Sequence, residues 1–403
     1  MVSHLAGIST TSAPRADSGP WARFDNLTAD RALIFSRPRR VLSTHQTSEV
    51  RPIIAEVQAA AEAGEWAFGY VSYEASPAFG PGLTVARTSG DDPPLVWFGL
   101  GNAPTEDQPI SGARHCSPAT LWRPDRSADQ HAAAVASVRE RIADGEVYQC
   151  NLTERLRSTF TAEPLDLYAD LISAQKAAYN AYLDTGGRFV VASASPELFF
   201  EWAGGQIRTR PMKGTAARRH DPEEDRQQAR ALRASEKERA ENVMIVDLLR
   251  NDLGKIAEIN SVSVTELFAV ERYPTVWQMV SEITARTRPG CNLIDILAAL
   301  FPCGSITGAP KASSMGIIRS LESAPRGIYC GAIGVLAPPT ATVRARFSVA
   351  IRTAVIDRVT ATAVYGAGGG ITWGSNAQAE WAELLTKAAI LSRSTTDSAL
   401  LAT

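Results

Sequence analysis

The chain has 403 residues, 45% of them apolar, and a formal charge of −2. This length supports a large core, or two lobes sharing one. The balanced charge leaves no basic stripe, which argues against nucleic acid but leaves small anions as partners, and no apolar run reaches the ~20 residues of a membrane helix.

Residues 1–20 are rich in Ser, Ala, Thr and Pro, lack the apolar stretch of a secretory signal, and read as a disordered tail. From 21 to 125 the sequence predicts an N-terminal region that completes a sheet. Its strand candidates are 66–73 and 94–99, with a helix at 53–63. The stretch 101–126, rich in Pro, Asp, Ser and Gly, is the best linker candidate. A catalytic domain is expected over 126–395. It opens with an amphipathic helix at 131–143, stopped by Asp144-Gly145, and strands at 147–155, 188–202 and 206–210. The longest helix of this region is expected at 236–256, with another at 294–301. A hairpin is expected from 343–356 and 359–364, turning at Asp357-Arg358, before a final helix at 377–392. Strands and helices alternate without a βαβ rhythm or repeat, which predicts an α+β fold. Five cysteines without CxxC spacing fit the free thiols of a cytoplasmic protein.

Lys213, in Pro211-Met212-Lys213-Gly214-Thr215, follows a strand-like run and precedes a Gly-Thr turn. Partly desolvated, such a lysine is an amine nucleophile; on a solvated loop it is an inert charge. Two carboxylate pairs have metal-like spacing. Glu238 and Glu241 are three apart on the long helix, and Glu380 and Glu383 repeat this on the final helix, with Lys387 one turn on. Such spacing puts each pair on one helix face, where four carboxylates can hold a hard cation such as Mg2+. Each pair also has a plain structural reading. Ser235-x-x-Glu238 is a capping box, and Glu383 with Lys387 is an ordinary ion pair.

Pro302 to Lys311 forms a Gly- and hydroxyl-rich turn into a helix, a possible anion site through Ser305 and Thr307, though not a Walker A loop. Gly366-Ala367-Gly368-Gly369-Gly370 lets a ligand approach the backbone closely, or is simply a turn. Arg352, expected on a strand, offers a fork to a carboxylate or sits on a solvated face. Glu197, after Ser195-Pro196, is a general acid/base candidate or a solvated turn residue.

In order, these segments resemble the chorismate-utilising family, which includes anthranilate, aminodeoxychorismate, isochorismate and salicylate synthases. The resemblance is carried by Ser195-Pro196-Glu197, Pro211 to Thr215, Ala240 to Asp252, Gly304 to Lys311, Ala350 to Thr353, and Gly368 to Lys387. It implies two packed antiparallel-rich sheets with helices outside and the active site in the cleft between. It further implies catalytic Lys213 and Glu197, and Mg2+ on Glu238, Glu241, Glu380 and Glu383. Gly214, Thr215, Gln278, Ser305, Arg352, Gly369, Gly370 and Lys387 match substrate contacts.

Isochorismate and salicylate synthases carry a water-activating lysine where this chain has Gln149, and anthranilate synthases a small apolar residue in place of Lys213. The resemblance therefore implies amination at ring carbon 4, through a covalent Lys213 intermediate, giving 4-amino-4-deoxychorismate for 4-aminobenzoate and folate. No Gly-x-Cys-x-Gly elbow occurs, so a separate glutamine amidotransferase is the expected ammonia source. Anthranilate synthesis, 2-amino-2-deoxyisochorismate synthesis and a silent chorismate-binding scaffold are the alternatives. Two departures from the family pattern touch the site: Gln278 stands where a histidine is common, and Val335 where anthranilate synthases have a tyrosine.

Overall fold

The structure, a computed structural model, describes residues 19–110, 121–273 and 276–391. The expected tail therefore lies almost wholly outside the described residues. Two antiparallel sheets of ten strands each form the body. The first runs from Gly308–Ala309 through Gln149–Thr159, Thr362–Ile371, Thr353–Asp357, Phe189–Ser195 and Tyr179–Asp184 to Trp21–Asn26, Arg31–Ser36 and Thr105–Asp107. The second runs from Met212–Ala217 through Val276–Arg286, Gln206–Arg210, Leu198–Ala203, Ala345–Val349 and Ala332–Leu336 to Trp66–Val71, Val96–Gly101 and Arg40–Thr44. The region before residue 125 thus feeds strands to both sheets, where one sheet was expected.

Between the sheets lies a core of inward side chains. Ala22, Phe35, Leu183 and Val191 from the first sheet meet Phe68, Tyr70, Trp97 and Ile333 from the second. Helix Pro164–Gln175 and the final helix, Ala377–Ala388, cover the outer face of the first sheet through Tyr168, Leu171, Ile172 and Leu384. Helices Thr47–Glu62, Glu236–Gly254 and Leu293–Leu300 cover the second through Ile54, Leu249 and Leu297. Burial of this kind contributes about 25 cal/mol per Å2 of apolar surface, which is why both outer faces acquire helices. No described helix is long and apolar enough to cross a membrane, and the four described cysteines are free.

Two expected strands prove to be two each. The run 188–202 breaks at Ser195-Pro196-Glu197, so that Phe189–Ser195 lies in the first sheet and Leu198–Ala203 in the second. The run 343–356 breaks at Ala350-Ile351-Arg352 in the same way, and Arg352 adopts φ 53°. The two crossings are tied together: the Ser195 hydroxyl donates to the Val349 carbonyl at 2.6 Å, Val349 N–H to the Glu197 carbonyl at 3.1 Å, and Ala194 N–H to the Arg352 carbonyl at 3.0 Å. Arg352 therefore sits in a crossing, off any strand, in a left-handed conformation that costs a non-glycine residue on the order of 1–2 kcal/mol.

Candidate active site

Glu197 is placed by its crossing and is buried, 3% exposed. The Ser305 hydroxyl donates to its Oε1 at 2.7 Å. Burial pushes its carboxyl up to about 7, against the pull of that hydrogen bond and of the Lys213 charge. A carboxyl so poised can give or take a proton near neutrality. Ser305 comes from the turn before helix Lys311–Leu321. The hydroxyls of this turn are engaged within the protein: Thr307 donates to the carbonyls of Cys303 and Gly304, and Ser305 to Glu197.

Lys213 lies on strand Met212–Ala217, next to Gly214, whose φ of 88° only glycine adopts freely. Its Nζ stands 3.2 Å from where a Cβ on Gly370 would be, and Gln149 Nε2 stands 2.3 Å from that point. The amine and the amide thus both approach the space that a side chain at Gly370 would fill. Gln149 is fully buried, and neither of its amide atoms has a hydrogen-bond partner. A buried amide left so is costly unless something docks against it. Only the family comparison drew attention to this glutamine; in the sequence it reads as an ordinary strand residue.

The acidic pairs face this space. Ser235 Oγ accepts from Glu238 N–H at 3.3 Å, while the Glu238 carboxylate turns to Gly214, with Oε2 2.9 Å from that glycine's hypothetical Cβ. Glu380 Oε2 is 3.1 Å, and Lys387 Nζ 3.8 Å, from the corresponding point on Gly369. Burial raises the carboxyls of Glu238 and Glu241; Lys213 opposes this, and Glu380 adds to it in both. For Glu383, burial also pulls upward, but Lys387, 2.7 Å away, together with Lys213 and Lys237, outweighs it and holds the carboxyl low. The two helices therefore bring like charges within mutual reach.

Among the described residues no three His, Cys, Asp or Glu side chains converge into a ready-made cage. Glu238 and Glu241, raised by burial and in part by Glu380 on the facing helix, fit an open Mg2+ site, because that ion takes one or two direct carboxylates and fills the rest with water and substrate oxygens.

The remaining expected contacts divide. Lys387 donates to the Gly368 carbonyl at 2.8 Å, and Arg352 Nη1 donates to the Lys387 carbonyl, so a crossing and the final helix are pinned together beside Gly369. Thr215 and Gln278 are cross-strand partners that bond each other: Thr215 Oγ1 donates to Gln278 Oε1 at 3.0 Å, and Gln278 Nε2 to the Gly214 carbonyl at 2.8 Å. In this state they shape the lysine's strand.

A lysine, a buried acid and opposed acidic pairs are thus gathered around glycines between the two sheets. The model of the chorismate binding enzyme family matches residues 102–393, and the chain belongs to that family. It is similar to "Aminodeoxychorismate synthase component 1" of Salmonella typhimurium, 41% identical over 273 residues, covering 66% of this chain and 58% of that relative. It is also similar to "Anthranilate synthase component 1" of Streptomyces coelicolor, 41% identical over 266 residues, covering 66% of this chain and 51% of that relative. The chain thus matches over half, but under two thirds, of the length of each. The solved anthranilate synthase component I of Streptococcus pneumoniae shares the fold, with a TM-score of 0.75 at 23% identity over 96% of this chain and 95% of that one.

Proposed function

We propose that this chain converts chorismate and ammonia to 4-amino-4-deoxychorismate through a covalent Lys213 intermediate. The observation that carries the reading is that Lys213 Nζ and the Gln149 amide both approach Gly370, 3.2 and 2.3 Å from where its Cβ would stand. A nucleophilic amine is at hand, and the position that in water-using relatives holds a basic lysine holds a group that cannot take a proton. Lys213, as free amine, forms a bond to ring carbon 2 while the ring double bonds shift and the carbon 4 hydroxyl leaves. Glu197 supplies the proton that makes the leaving group water. Ammonia then bonds at carbon 4, the double bonds shift back, the lysine departs as the free amine, and the new ammonium group returns one proton to the Glu197 carboxylate. Mg2+ held by Glu238, Glu241, Glu380 and Glu383 would supply positive charge for the ring carboxylate. Arg352, Lys387 and the Gly369-Gly370 backbone would orient the other carboxylate.

A glutamine amidotransferase subunit would deliver the ammonia, a reading supported by the "component 1" in the relatives' names. The product would lead to 4-aminobenzoate and folate in the cytoplasm. The test is a mass-resolved assay with chorismate, ammonia and Mg2+, with and without an aminodeoxychorismate lyase. 4-Aminobenzoate formed only with the lyase is expected. Anthranilate, aromatic and fluorescent without it, is the second reading, favoured by the equal identity to the Streptomyces coelicolor relative.

A further inference from the structure

Bonded to the segments that carry the site is a charge that the mechanism above does not use. Arg326 is buried, with its side chain 2% exposed. Its Nε and Nη2 bind both oxygens of Glu322 at 2.8 Å, Nη1 donates to the Ile306 carbonyl at 2.8 Å, and Nη2 to the Asn151 carbonyl at 2.7 Å. Burial works against its charge, and the Glu322 carboxylate, with Cys330 and Tyr73, outweighs that. Glu322 Oε1 also accepts from the N–H and hydroxyl of Thr153 at 2.9 and 2.8 Å.

A buried cation needs only its counterion. Here the same fork also grips two carbonyls from separate segments, and both segments carry the site. Ile306 follows Ser305, whose hydroxyl holds Glu197. Asn151 is the cross-strand partner of Gly370, against which Lys213 rests. The fork is itself anchored from the N-terminal region: Glu74 accepts the Arg326 and Gly327 N–H groups at 2.7 and 2.8 Å, and Tyr73 lies with its ring 4.7 Å from the guanidinium.

We propose that Arg326 is a positioning residue for the reaction: one planar guanidinium sets the separation between the turn that presents Ser305 to Glu197 and the ladder that presents Gly370 to Lys213. A lysine ammonium has no rigid fork with which to span both carbonyls and both oxygens of Glu322. A misplacement of about 1 Å between reacting groups is enough to cost on the order of 100-fold in rate. The inference rests on the proposed chorismate amination.

The test compares wild type, Arg326→Lys and Glu322→Gln for chorismate consumption with ammonia and Mg2+, across pH, alongside thermal melting. For Arg326→Lys, kcat is expected to fall by about 10- to 100-fold, within that cost of misplacement, with KM for chorismate nearly unchanged. The alkaline limb of the pH profile is expected to move upward as Ser305 loosens its hold on Glu197. A variant that melts below the assay temperature is replaced by Glu322→Gln, which keeps the shape and weakens the fork, and for which the same pattern is expected. Wild-type kcat and an unmoved limb in a folded variant would overturn the proposal. So would a loss of kcat that only tracks the unfolded fraction. A wild type that never consumes chorismate refutes the amination reading instead, so the two failures are distinguishable.

Discussion

Replacing Ser305 with alanine tests the acid assigned to Glu197 directly. The hydroxyl donates to Glu197 Oε1 at 2.7 Å within a buried environment, and it is the strongest influence opposing the desolvation that lifts the carboxyl to about 7. A hydrogen bond to a charged group contributes about 1.5–3 kcal/mol. At 1.36 kcal/mol per pH unit, its loss raises the Glu197 pKa by about one to two units. Glu197 must be protonated to help the hydroxyl leave, so activity falls as pH rises through its pKa. Ser305→Ala is therefore expected to move the alkaline limb upward by about one to two units, the equivalent of that hydrogen bond. The assay is initial-rate chorismate consumption at saturating Mg2+, with total ammonium adjusted to hold free ammonia constant at each pH. A limb that stays in place, or that moves downward, refutes the assignment of that ionisation to Glu197.

Gly370→Ala would put a methyl group 2.3 Å from Gln149 Nε2 and 3.2 Å from Lys213 Nζ. The tighter contact falls on the fully buried Gln149 amide, which must shift, while the lysine gives by a few tenths of an ångström; kcat is expected to fall by up to about 100-fold and the melting temperature with it, through overpacking that costs about 1–3 kcal/mol, and unaltered kcat in the folded variant would remove Gly370 from the lysine's surroundings. Glu241→Gln removes one of the facing carboxylates, so half-maximal activity is expected to need at least about tenfold more Mg2+, the scale seen when a metal site loses a supporting group; an unchanged titration would return Glu241 to a plain helix position. Burial raises the carboxyl of Glu74 to about 7 from 4.5. Between those values the folded state holds a proton that the unfolded state has lost, so stability is greatest below the lower value and declines as pH rises through the upper one. Relative to Glu74→Gln, wild-type stability is expected to fall by about 3 kcal/mol from pH 4 to pH 8, read by urea titration; a flat difference would mean the two backbone N–H groups on Glu74 keep it ionised throughout.

How far the sequence exposes this arrangement depends on the type of signal each residue carries. The long helix and the final helix were legible in part because Ser235 stands as a cap at the start of the first and acidic residues recur three apart on both. The two sheet crossings were not. In 188–202 the apolar pattern continues straight through the break, and Pro196, which cannot donate to a ladder, was the one sign of it. In 343–356 no sign exists, because Arg352 takes its positive φ from the contacts of the folded state: its guanidinium is held by the last turn of the final helix, and its carbonyl by Ala194. That has a consequence for the chemistry. A strand that leaves one sheet for another gives up its ladder partners at the crossing, and the side chains there are fixed by neighbours distant in sequence. Glu197 depends on Ser305, 108 residues away, and Arg326 reaches Asn151 across 175. The residues that carry reactive groups can be named from local motifs. The distances between those groups are set by buried polar contacts such as the Arg326 fork, whose Pro325-Arg326-Gly327 setting reads locally as an ordinary turn.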